Sequence, residues 1–152
     1  MKAAPTLDGR IRIDIESKLD RMVMQSISHD ARAVDGDLAE RLGDYLGDEA
    51  STCDWEEFVL PDLKQGFNEQ LDYIEQVLVG LDAETPGTIF IVKEDAETWY
   101  GALNQARLAL EDRYHFDGEN PDRMSPGRRT AWFRNQFYQL LQSMLLECLM
   151  RD

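Results

Sequence analysis

Histidine and cysteine are almost absent from this 152-residue sequence, and their scarcity removes most site chemistry at once. His29 and His115 are the two histidines. Asp112-x-x-His115 offers one turn of ligands, where a carboxylate-bridged di-iron bundle needs two Glu-x-x-His pairs and further carboxylates. Cys53 and Cys148 build neither a Cys-x-x-Cys motif nor a disulfide framework, so they are expected as reduced thiols of a cytoplasmic protein. Cys53 sits among acids that disfavour its thiolate. Gly-x-Ser-x-Gly, Gly-x-Gly-x-x-Gly and phosphate-loop patterns are missing too. No nucleophile, base and orienting group can be assembled, so the chain is expected to be non-enzymatic, with no metal and no cofactor.

Long apolar runs are also missing. The start, Met1-Lys2-Ala3-Ala4-Pro5, lacks the stretch a secretory signal needs. The most apolar segment, near Leu140–Met150, is broken by Gln142, Ser143 and Glu147 and is too short and polar to cross a bilayer. Basic residues are scarce as well: 16 Lys and Arg stand against 30 Asp and Glu, a formal charge of −14. That balance argues against nucleic acid and anionic membranes, and it favours a partner with a basic face.

What remains is an ordinary globular composition, 43% hydrophobic and 30% charged, long enough for one domain. Residues 1–9 read as a flexible leader and 10–152 as a single helical domain. Ile11, Ile13 and Ile15 alternate with polar residues, a short strand signal. Thr88–Val92 is a second, β-branched run. A lone strand leaves its backbone unpaired, so 10–15 is expected to pair with 88–92 as a minimal two-stranded element beside four to five helices, a mainly α fold. Helices are expected over Glu16–His29 (Leu19, Met22, Val23 and Ile27 on one side) and, less regularly, over Asp35–Asp48. Asp54 with Glu57 is a plausible cap for a short turn. A long helix from Pro61 carries Leu63, Phe67, Leu71, Ile74, Leu78 and Leu81, and Gly80 with Thr85-Pro86-Gly87 ends it. Ser125-Pro126 opens the last helix, which is apolar over more than half its circumference and suited to a bundle centre or a homodimer interface.

The chain is organised around Trp99–Leu110, where Trp99, Leu103, Ala106 and Leu110 share one helix face and Leu108 and Ala109 widen it. The pattern Trp99-x-x-Ala102-Leu103-Asn104-x-x-Arg107-Leu108-x-Leu110 resembles the signature helix of a bacterial family known only as a domain of unknown function. Phe58–Leu78 and Gln139-Leu140-Leu141-Gln142 are similar to two further segments of that family, and the resemblance covers roughly residues 11–150. Family members are often encoded near the adaptor of the Clp protease, which implies a place in protein quality control. The chain departs from the family pattern in Asp35–Glu57 and in Glu111-Asp112-Arg113.

Two polar features stand out. Asn104 and Arg107 interrupt the central apolar face; they either form a polar site facing a cleft or, as expected here, serve structure, with Arg107 paired to Glu111 or to a carboxylate on a neighbouring helix and Asn104 capping a loop. From Asp35 to Asp62 there are ten acids and one base, Arg41; from Arg123 to Arg134 there are four arginines (Arg123, Arg128, Arg129, Arg134) and no acid. Arg128 and Arg129 fall in the first turn of the last helix, where the macrodipole disfavours cations. Either the acidic segment folds over these arginines, or they form an anion site. The expected function is an unidentified protein partner bound in a regulatory or adaptor role. The alternative is a small-molecule or anion-binding protein or enzyme using the arginine cluster.

Overall fold

Strands β1 (Lys2–Pro5), β2 (Ile11–Ile15) and β3 (Gly87–Ile91) form one antiparallel sheet in the order β1-β2-β3. The computed structural model describes residues 1–33, 38–81 and 86–151. On β2 the alternation decides the faces: Ile11, Ile13 and Ile15 are fully buried, with Ile89 and Ile91 of β3 beside them. Arg12, Asp14 and Thr88 line the outer face. Ile11 lies opposite Ile91 and Ile15 opposite Gly87, the pairing the sequence implies. The sheet nevertheless has three strands rather than two. Residues 1–9 are not a loose leader: Ala3 pairs with Ile13 and Pro5 with Ile11. Proline is tolerated there because β1 is an edge strand, and the Thr6 hydroxyl accepts from the Arg10 N–H across the turn (3.0 Å).

Helix α1 (Lys18–Arg32) starts at a capping box in which the Ser17 hydroxyl accepts from the Asp20 N–H while the Asp20 carboxylate reaches back. Its inward residues are Met24, Ile27 and Ser28; Leu19 and Met22, expected on the core side, face out. Two sets of apolar residues recur at helical spacing here, and packing against helices later in the chain selects the one led by Met24. Helix α2 (Leu38–Gly43) is short. The start expected for it, Asp35 to Asp37, lies outside the described residues, as do Thr85 of the expected turn and Asp152.

Helix α3 (Glu49–Asp54) runs through one π-helical turn, Trp55–Val59, directly into α4 (Leu60–Val79). The cap is Asp48, accepting from the Ser51 N–H at 2.7 Å, not Asp54. A proline inside a helix removes one hydrogen bond and strikes the carbonyl four residues back. The π turn, in which the Leu60 N–H reaches the Trp55 carbonyl, widens the backbone just ahead of Pro61 and lets the helix continue.

Helix α5 (Ala96–Tyr114) is central, packed by α1, α4 and α6 (Pro126–Cys148). Its small residues Ala102, Ala106 and Ala109 are buried and admit these neighbours closely. Gly101 leaves room for a neighbour: a Cβ there would stand 2.4 Å from the Gln70 amide, which accepts from Gln105 at 2.9 Å, so the Gln70 side chain would have to move. Leu108 does not widen the buried face; it stays partly exposed beside α2.

Candidate functional site

Ala131, Asn135, Tyr138, Gln142 and Leu145 of α6 are buried at spacings of four, three, four and three, with Leu141 buried beside them and Leu149 continuing the stripe just past the helix end. Two of its members are carboxamides, and they meet the polar side of α5. Arg107 Nη1 donates to Gln142 Oε1 at 2.6 Å, and Gln142 Nε2 donates onward to the Tyr100 carbonyl at 3.4 Å. Asn135 Nδ2 donates to Glu111 Oε1 at 3.3 Å. Arg107 therefore pairs across the helix interface rather than with Glu111 on its own helix. Asn104 is half-buried on α5, with no side-chain hydrogen bond among the described residues.

This layer floors a cleft of about 510 Å³ between α5, α6 and the loop Asp117–Glu119, walled by Arg107, Glu111, Trp132, Asn135, Gln136 and Gln139. Two polar atoms of its walls are buried without a partner, the Arg107 Nε donor and the Asn135 Oδ1 acceptor. Asn135 is 3% exposed. Leaving such groups unpaired costs roughly 1–3 kcal/mol each. A second cleft, of about 610 Å³, lies between α2 and the end of α5; it shares Glu111 and adds Leu108, Asp112, Arg41 and Tyr45.

Three of the four arginines have partners within the chain. Arg128 embraces the end of α5: Nη2 donates to the His115 carbonyl at 2.9 Å, Nη1 donates to that of Tyr114, and Nε donates to Glu119 at 2.8 Å. His115 closes α5 in the left-handed region at φ 47°. The charge disfavoured by α6's own dipole thus sits on the negative end of α5's. Arg129 donates to the carbonyls of Pro121 (2.9 Å) and Met124 (3.2 Å), closing the loop. Arg134 forms a two-pronged bond to Asp30 at 2.8 and 2.9 Å. The Tyr138 hydroxyl donates to the same carboxylate at 2.8 Å. Burial, then the Asp30 charge, pushes the Tyr138 phenol well above its ordinary value. Arg123 is exposed and has no side-chain partner among the described residues. Among the described residues the acidic segment makes no ion pair with these arginines. Its Arg41 pairs with Asp112 at 3.2 Å, and its Glu40 with Lys64 at 2.8 Å.

A family model described as a domain of unknown function, DUF2017, matches residues 5–149. The chain belongs to DUF2017. No curated protein and no solved structure matches it. The match takes in strands β2 and β3, every long helix and all the cleft residues of this DUF2017 domain. Within it, sequence reasoning singled out Arg107 but missed Asn135, Gln142, Asp30 and Tyr138. Asn135 and Gln142 carried a usable signal, two carboxamides seven residues apart on a helix otherwise rich in apolar side chains. Asp30 carried none, since its partner lies 104 residues away. Among the described residues no group of His, Cys, Asp and Glu is placed to hold a metal, and no helix is long and apolar enough to cross a membrane.

Proposed function

We propose that this DUF2017 domain is a cytoplasmic protein-interaction module of regulatory or adaptor type, with the outer face of α6 as its contact surface. One observation carries the reading. Between Arg134 and Glu147 the chain has no charged residue, although 30% of the whole is charged. On that stretch and its flank Phe133 (57% exposed) and Leu140 (54%) stand in solvent, with Phe137 and Met144 half-buried between them. Phe133, Phe137, Leu140 and Met144 are spaced four, three and four, a second stripe distinct from the one facing α5. A contiguous apolar, uncharged face on a highly charged molecule favours a protein contact.

Capture of binding proteins by the tagged chain, compared with a Phe133→Asp, Leu140→Asp variant, tests this. Both residues are exposed, so the variant should fold. A partner held by the wild type and lost by the variant is expected. Equal capture by both forms, or capture by neither, overturns the assignment. Light scattering on the same two proteins shows whether a second copy fills the face.

A further inference from the structure

We infer that the cleft between α5 and α6 binds an extended, basic peptide segment of a protein partner. Three features of its walls converge on that class of ligand. Asn135 and Gln139 place carboxamides one turn apart on one helix, with Gln136 beside Asn135. A carboxamide donates and accepts at once, as a backbone amide does. Four residues of α-helix rise about 6 Å, and two residues of extended chain advance about 6.6–6.8 Å. Amides one helical turn apart therefore keep step with alternate peptide groups of a strand laid along α6.

The second feature is the pair of unpartnered atoms. Arg107 Nε lacks an acceptor and Asn135 Oδ1 lacks a donor, both in walls of this one cleft. A peptide bond supplies one carbonyl and one N–H, and a small shift of either side chain on binding brings them to it. The Asn135 amide cannot simply be turned over, because its Nδ2 is held by Glu111. Reversal would set oxygen against carboxylate.

Charge selects the side chains of the segment. Glu119 is already paired with Arg128, but Glu111 and Asp117 have no basic partner among the described residues. The half-buried Trp132 ring stands in the same cleft. Carboxylates that share a cleft with an aromatic ring suit a guanidinium or ammonium group whose alkyl stem lies on the indole. Glu111 also lines the neighbouring cleft, where Asp44 adds a negative charge and Asp112 is paired with Arg41.

The test is an NMR titration of the full-length, isotope-labelled chain with three probes. They are an acetylated hexapeptide alternating Ala and Arg, the same peptide with Gln for Arg, and spermidine as a free cation. The Ala–Arg peptide should shift the Trp132 indole and the side-chain amides of Asn135, Gln136 and Gln139. The Gln peptide should bind at least tenfold more weakly. Glu111→Gln and Asp117→Asn should each weaken the Ala–Arg peptide several-fold; Asp117 lies on an exposed loop, so its variant keeps the test valid if Glu111→Gln fails to fold. Absence of shifts at millimolar Ala–Arg peptide overturns the inference, as does binding unchanged in both variants. Spermidine matching the peptide in affinity also overturns it, because the cleft would then be a simple cation site. The cleft and the outer stripe are separate surfaces, so a negative titration leaves the capture result standing.

Discussion

Asp30 is 4% exposed as a side chain and is held by Arg134 and Tyr138 alone among the described residues. Removing one member of such a group strands the opposite charge in low dielectric, at a cost of roughly 3–5 kcal/mol. Asp30→Ala should therefore lose about that much in urea denaturation, and Asp30→Leu with Arg134→Met should recover most of it. Tyr73 gives a pH-dependent signature. Burial, then its hydrogen bond to Asp95, moves its phenol from 10.0 to about 12. A folded value raised above the unfolded one means that its contribution is complete below pH 10 and is lost as pH climbs toward 12. Phenolate absorbance of the wild type against Tyr73→Phe should show this late-titrating ring. At this scale the sequence was partly legible: Arg107 was marked as needing a partner, but Gln142 was not identifiable, because nothing local selects a residue 35 positions away over Glu111 one turn along.

Helix α3, the π turn and α4 show how a single local rule misleads at the scale of elements. Pro61 marks a helix start in any sequence reading, and Asp54 with Glu57 reads as a cap. The chain instead begins its helix at Asp48 and spends one wide turn to pass the proline. Asp48→Ala should cost about 1 kcal/mol, as loss of an N-cap does. Asp54→Ala should leave the melting midpoint nearly unchanged, since Asp54 makes no cap hydrogen bond. Gly101→Ala should change stability by no more than about 1 kcal/mol, because it displaces Gln70 from Gln105, which keeps the Phe67 carbonyl as an acceptor, while alanine's better helix propensity offsets the loss. Strands β2 and β3 were readable from their β-branched residues. Strand β1 was not, because Lys2-Ala-Ala-Pro5 contains no strand former and is held by its pairing with β2, by ion pairs of Met1 and Lys2 to Glu16 and Asp20, and by packing of Ala3 on the core.

Across the whole molecule the acids outrun their partners. Asp44, Glu49, Glu56 and Glu57 are exposed and make no ion pair among the described residues. The net charge of −14 was fully legible, and so was its physical cost: self-repulsion that dissolved salt screens over about 8 Å at 0.15 M. The melting temperature should rise by a few degrees between low salt and that ionic strength; a fall would mean that the ion pairs around Arg32, Arg41 and Arg134 outweigh the repulsion. The destination of the charge was not legible. Which acids meet which arginines depends on α5 bringing Asp112 to α2 and on α6 bringing Arg134 to α1, and those are tertiary facts.

The uncharged face of α6 also determines which reagents can report on it. The chain has four lysines, at 2, 18, 64 and 93, and none in its last 59 residues. Amine-reactive cross-linkers and lysine-modifying enzymes therefore have no handle on α6 or on the cleft beside it. Trypsin finds no site between Arg134 and Arg151, so Phe137, Leu140 and Met144 emerge together in one long peptide. A partner seated there would leave no trace in a lysine cross-linking map, whereas a photoreactive group carried at Leu140 would record it.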